Sequence, residues 1–139
     1  MITAERYHDI SCGHRVVGHE GKCRFLHGHN YRIHFEVAAT QLDEVGRVLD
    51  FSVIKEKLCM WLEDNYDHKF LIWENDPMLE ELQKLTAESL VIVPFNPTAE
   101  NIAQHLVEVI APQQLKDTTC TLVRCKVEER QLCSATYKK

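Results

Sequence analysis

Two hydrophobic periods alternate along the chain. Between Ile2 and Val16, residues Ile2, Ala4, His8, Ile10, Cys12 and His14 share one parity, with Arg6 the single interruption. Glu5, Tyr7, Asp9 and Ser11 take the other parity. A period of two predicts a strand with one apolar side. Residues 18–21 read as a loop. From His27 the alternation returns more cleanly: His27, His29, Tyr31, Ile33, Phe35, Val37 and Ala39 oppose Asn30, Arg32, His34 and Glu36. After a turn at Glu44–Arg47 the period lengthens to that of a helix. Asp50 or Ser52 can cap it, and Ile54, Leu58, Trp61, Leu62 and Asn65 follow its spacing. Residues 76–85 predict a short helix with Pro77 in its first turn. Leu90–Phe95 reads as a short strand or a buried connection. A second long helix begins after Pro97-Thr98, carries Ala99, Ile102, Ala103, Leu106 and Ile110 on one side, and is expected to stop before Pro112. Thr119, Thr121, Val123, Cys125 and Val127 then alternate with Cys120, Leu122, Arg124, Lys126 and Glu128, and Gln131–Tyr137 returns as the partner of a hairpin.

This order predicts one α+β domain over residues 1–139. Its core would be an antiparallel four-stranded sheet with two long helices on one face. The uncovered face would meet a partner subunit or stay wet. Charge narrows the function. Sixteen Lys and Arg against 21 Asp and Glu leave a net −5, a poor basis for sequence-independent nucleic-acid binding. Met1–Arg6 is polar, with no apolar leader, and the run Leu90–Phe95 is far too short to span a bilayer. A cytoplasmic protein without membrane partners is expected. Its six cysteines contain no C-x-x-C pair, so each reads by default as a small buried hydrophobe.

One group does not fit that bland description. His27 and His29 stand two apart on a strand, so both imidazoles project from one face, and His14 lies on a neighbouring strand. Three neutral imidazoles suit Zn²⁺ and leave a fourth position for water or substrate, the pattern of a catalytic ion. Cys23 as a fourth ligand would instead make a closed, structural site. Cys23 is flanked by Lys22 and Arg24, and neighbouring cations favour a thiolate. Asp67 precedes His68 directly, and an adjacent carboxylate can orient an imidazole for proton transfer. His8, His19, His34 and His105 read as ordinary solvated or capping residues.

In order along the chain stand His14, the Cys-x-x-x-His-Gly-His run Cys23–His29, Val48-Leu49-Asp50-Phe51, Asp67-His68, Pro97-Thr98-Ala99-Glu100-Asn101 and Glu128. This ordered set resembles the 6-pyruvoyltetrahydropterin synthase superfamily, and more closely its 6-carboxy-5,6,7,8-tetrahydropterin synthase branch of queuosine biosynthesis. The three-residue gap between Cys23 and His27 is that of the carboxy branch. Two features depart from the family pattern. Glu128-Glu129 stands where Glu-Thr is common, and Ser11-Cys12-Gly13 precedes the first histidine where Ala-Ala or Ser-Ala is usual. The resemblance implies the tunnelling fold (T-fold), with trimers closing their sheets into a barrel and two trimers stacking into a hexamer with sites between subunits. It implies zinc on His14, His27 and His29. Cys23, Asp67 and His68 would be catalytic, and Glu128 and Thr98 would hold the pterin, although Thr98 reads equally well as a helix cap. The implied reaction converts 7,8-dihydroneopterin triphosphate to 6-carboxytetrahydropterin, acetaldehyde and triphosphate. Lys22 and Arg24 could attract the triphosphate. Formation of 6-pyruvoyltetrahydropterin, a non-catalytic zinc-stabilised binding module and a zinc hydratase or hydrolase are the alternatives.

Overall fold

A computed structural model describes all residues, 1–139. Six strands form one sheet: β1 (Thr3–His14), β2 (His27–Ala39), β3 (Phe70–Trp73), β4 (Leu90–Val93), β5 (Cys120–Arg130) and β6 (Cys133–Lys138). Their spatial order is β4-β3-β1-β2-β5-β6. The antiparallel run β1–β2–β5–β6 matches the four expected strands. The expected sheet is nevertheless too narrow. Beside β1 lie two short parallel strands, β3 against Gly13 and His14, and β4 against β3.

Three helices connect the strands. Helix α1 covers residues 51–65 as Phe51–Ile54, a π-helical turn Lys55–Cys59, and Met60–Asn65. Asp50 caps it: its side chain accepts from the Ser52 N–H at 2.8 Å. Helix α2 is the short Leu79–Thr86. Helix α3 covers residues 99–114 as Ala99–His105, a π-helical turn Leu106–Ile110, and Ala111–Gln114. It runs through Pro112 instead of stopping before it. The π turn is the physical reason: the Ala111 N–H donates one residue further back, to Leu106, so the ladder is already shifted where proline offers no donor.

Helices α1 and α3 cover one face of the sheet. Ile54, Leu58 and Leu62 from α1 and Ile102, Ala103 and Leu106 from α3 pack with Ile10, Cys12, Tyr31, Ile33, Phe35 and Val37 in one core. Each large apolar side chain so buried contributes about 1.5–3 kcal/mol. A bulge opposite Glu36 and Val37 changes the parity of β5, whose buried residues run Cys120, Leu122, then Cys125 and Val127. The other face is polar, with Asp9, Arg32, His34, Arg124 and Glu128. No helix is long and apolar enough to cross a membrane.

Candidate metal centre and its surroundings

The register of β1 on β2 assembles the histidines. His14 lies opposite His27, and Cys12 opposite His29, so all three rings rise from the helix-facing side of the sheet. Gly13 and Gly28 form the pair between them. A Cβ on Gly13 would fall 2.5 Å from the Phe70 ring, and one on Gly28 would fall 3.0 Å from the Cys12 carbonyl oxygen. Glycine is therefore required for close packing here. The ring centroids stand 4.5 Å (His14–His27), 5.1 Å (His14–His29) and 4.8 Å (His27–His29) apart. One ligand nitrogen from each ring lies within 4.8 Å of the others.

Backbone carbonyls orient two of the rings. His14 Nδ1 lies 2.6 Å from the Pro97 oxygen, and His27 Nδ1 lies 2.7 Å from the Phe25 oxygen. A carbonyl only accepts, so both Nδ1 atoms carry the proton and both Nε2 atoms present lone pairs. His27 Nε2 faces His29 Nε2 at 3.1 Å. Burial lowers the His14 pKa to about 4, with the charges of His27 and His29 acting in the same direction and the Pro97 carbonyl opposing. Burial also lowers that of His29, against the opposing charge of Glu129. Neutral imidazoles are the metal-binding form. His14 Nε2 is buried and has no hydrogen-bond partner. A lone pair sequestered in this way is costly unless something positive meets it. The donor set fits a divalent ion of the zinc type, held by His14, His27 and His29. The other unpartnered buried polar atom is the Tyr31 hydroxyl, whose ring stands edge-on to His14 and His29.

The remaining predicted residues divide. Cys23 is half-buried in the turn Lys22–Arg24 and lies outside the cluster of ligand atoms. The Arg24 guanidinium donates to the carbonyls of Glu20 and Gly21 and stacks on Phe25, so its charge is engaged in holding the turn. Thr98 is the N-cap of α3: its hydroxyl accepts from the Asn101 N–H at 3.1 Å. Asp67 and His68 form a pair at 2.8 Å, and the second Asp67 oxygen accepts from the Ser11 N–H at 2.9 Å. Burial raises the Asp67 pKa, but these hydrogen bonds and the charges of His68 and His8 outweigh it and hold the carboxyl below its ordinary value. His68 is the one non-glycine residue with positive φ, 59°, a conformation that costs energy and recurs at functional sites. Its side chain is 81% exposed. Asp67 and His68 border the cleft of the polar face with Asp9, Ser11 and Arg32, His68 also borders a second pocket with His29, and neither belongs to the cluster of ligand atoms.

Glu128 also lies apart from them. It points to the polar face, where it pairs with His34, and that hydrogen bond chiefly lowers its pKa. It borders a cleft of about 520 Å³ shared with Asp9, Arg32, Asp67 and His68. The carboxylate on the histidine side is Glu129. Parity from Cys125 and Val127 aims it there, and a bulge between Glu128 and Arg130 frees it from pairing. Its Oε2 lies 3.9 Å from His29 Nε2. It borders a smaller pocket of about 190 Å³ with Ala99, Glu100, Cys133 and Ser134, beside the start of α3. The family resemblance points to its neighbour Glu128, whereas alternation counted from Val127 puts Glu129 on the histidine side. The expected plain histidines are partnered: His34 with Glu128, His8 with Glu63 at 2.7 Å, His19 with the Gly21 N–H at 2.8 Å, and His105 against Phe95.

Comparison with known proteins gives a consistent set. The family model described as 6-pyruvoyl tetrahydropterin synthase matches residues 3–139. The 6-carboxy-5,6,7,8-tetrahydropterin synthase of Rickettsia typhi is 37% identical over 134 residues, which is 96% of this chain and 97% of that protein. Among solved structures, an uncharacterised protein of Wolinella succinogenes matches with a TM-score of 0.87 at 22% identity, covering 99% of this chain and 98% of the other. A catalytic-residue mutant of Plasmodium vivax 6-pyruvoyltetrahydropterin synthase matches with a TM-score of 0.71 at 20% identity, covering 100% and 99%. These two structural likenesses concern the fold.

Proposed function

The chain belongs to the 6-pyruvoyl tetrahydropterin synthase family, and from that premise we propose that it is a zinc-dependent carbon–carbon lyase. Its substrates would be 7,8-dihydroneopterin triphosphate and one water molecule. The products would be 6-carboxy-5,6,7,8-tetrahydropterin, acetaldehyde and triphosphate, feeding queuosine biosynthesis. The observation that carries this reading is the trio of histidines: carbonyl groups set the tautomers of His14 and His27, and the His14 Nε2 so presented is buried without a partner. The curated relative from Rickettsia typhi supports the carboxy branch.

His14, His27 and His29 would hold the ion. When bound, zinc supplies Lewis acidity toward the substrate's side-chain hydroxyls and eases loss of the neighbouring carbon-bound protons. Cys23 accepts such a proton. His68 moves protons at Nε2 while Asp67 holds Nδ1–H, which fixes the ring's tautomer and orientation. Glu129, in place of Glu128, accepts two hydrogen bonds from the pterin 2-amino group and ring N–H, which orients the ring. Thr98 adds a contact from the start of α3. A retro-aldol-type cleavage then releases acetaldehyde.

The Asp67–His68 pair opens onto the polar-face cleft and is absent from the cluster of ligand atoms, and we take it to act on substrate held by a second subunit. We therefore assign a homo-oligomer, trimers closed into a barrel and paired as a hexamer. Two unpaired edges support it: β1 meets β3 only at Gly13 and His14, and β6 ends the sheet. The six cysteines are free thiols, in keeping with a cytoplasmic protein.

The test is incubation of zinc-loaded protein with dihydroneopterin triphosphate and identification of products by mass. Acetaldehyde with 6-carboxytetrahydropterin is expected. Release of 6-pyruvoyltetrahydropterin would move the chain to the pyruvoyl branch, and no turnover would favour a zinc-stabilised binding module.

A further inference from the structure

The connection between β1 and β2 carries Cys23 and has little regular structure beyond the turn Lys22–Arg24. It is nevertheless held at several points. Arg15 donates to both carboxylate oxygens of Asp76, through Nε at 2.7 Å and Nη2 at 2.8 Å. Its Nη1 donates to the Arg24 carbonyl at 3.0 Å. The Val16 N–H donates to the carbonyl of Cys23 itself at 2.8 Å. On the far side, the Asn96 amide accepts from the Val17 N–H at 3.0 Å and donates to the Val17 carbonyl at 2.9 Å.

The Asp76 side chain is buried, 0% exposed, and that of Arg15 is partly buried, 14% exposed. Desolvating two charges costs about as much as their attraction returns, so such a pair is a weak source of stability. It supplies direction instead. A guanidinium locked by both oxygens of one carboxylate has a fixed plane, which fixes the directions of its three other N–H groups, among them the Nη1 donor. The Nη1 donor points at the carbonyl of Arg24, the residue that follows Cys23. Asp76 is itself fixed, since its Oδ1 also accepts from the Met78 N–H at 2.8 Å.

We propose that Asp76 and Arg15 are a positioning pair for Cys23. The carboxylate, anchored between β3 and α2, sets the guanidinium. The guanidinium sets the Arg24 carbonyl, and through that turn the thiol is placed relative to the histidines. Neither residue touches substrate. The proposal rests on the reading of Cys23 as the base. A lysine at position 15 keeps the charge but has no planar fork to hold Asp76 at two points while reaching Arg24.

The experiment compares Arg15→Lys and Asp76→Asn with wild type, all zinc-loaded. Steady-state kinetics with dihydroneopterin triphosphate are combined with hydrogen–deuterium exchange without substrate. A misplacement of about 1 Å can cost about 100-fold, so kcat is expected to fall about 10- to 100-fold, with KM within about threefold and zinc content unchanged. Exchange should quicken in peptides covering residues 15–26 and stay at the wild-type rate in β2 and α3. Wild-type kcat in both variants would overturn the proposal. So would exchange quickened throughout the sheet, which would make the pair a support of the fold only. Failure of the wild-type protein to turn over defeats the assigned reaction instead, and the exchange arm still decides whether the pair holds the Cys23 segment.

Discussion

Replacing Glu129 by Gln while treating Glu128 the same way separates two adjacent carboxylates that face opposite sides of the sheet. In the proposed complex Glu129 accepts two hydrogen bonds from the pterin. Hydrogen bonds to a charged group are worth about 1.5–3 kcal/mol each. An amide keeps one acceptor and turns its NH₂ toward the second pterin donor, so the loss is about 3 kcal/mol, or about 150-fold in kcat/KM at about 1.4 kcal/mol per tenfold. Glu128 pairs with His34 on the polar face, where their side chains are 21% and 15% exposed. Its replacement loses about 1 kcal/mol or less of stability and should change kcat/KM by no more than about threefold. The assay is steady-state turnover of dihydroneopterin triphosphate, with zinc content measured on each variant. A Glu128→Gln protein crippled about 100-fold beside a near-normal Glu129→Gln protein would refute the assignment and the strand register behind it.

Cys23→Ala should retain zinc and fold but lose about 10²- to 10⁴-fold in kcat, the usual worth of a positioned base; zinc loss on metal analysis would instead make the thiol a ligand. His27→Ala should fail to retain zinc through gel filtration, and an active, metal-free variant would contradict the scheme. Burial pushes the His14 pKa down from its ordinary 6.5 to about 4. Between those values the unfolded chain binds more protons, so stability of the metal-free protein is full above about pH 6.5 and falls by about 3 kcal/mol toward pH 4. Urea unfolding at pH 7 and pH 4.5 checks this, and a flat profile would count against a buried, neutral His14. Zinc at about 1,000 times its Kd should add about 4 kcal/mol to the same unfolding free energy, and a chelator should reverse the gain.

Much of the site was legible because period-two alternation fixes sides. His14, His27 and His29 fall on the apolar parity of two strands, and antiparallel pairing of those strands makes them neighbours. The three long antiparallel strands and both long helices followed from the same arithmetic. What escaped it depended on local breaks in periodicity or on tertiary pairing. β3, Phe-Leu-Ile-Trp, has no alternation and only four residues, and its strand character comes from lying between β1 and β4. Pro112 looked like a stop because the π turn that accommodates it leaves no mark in the apolar pattern. Which of Glu128 and Glu129 lies on the histidine side depends on where β5 is bulged: parity counted from Leu122 points to Glu128, and parity counted from Val127 to Glu129. The partnership of Arg15 with Asp76 crosses 61 residues and has no sequence signal.

The most direct test is X-ray absorption at the zinc edge of the loaded protein. The account predicts imidazole nitrogens from three histidines at about 2.0–2.1 Å, one further light atom from solvent, and no sulfur. A zinc–sulfur shell at about 2.3 Å would show Cys23 closing the coordination sphere, and the lyase assignment would lose both its open position and its base.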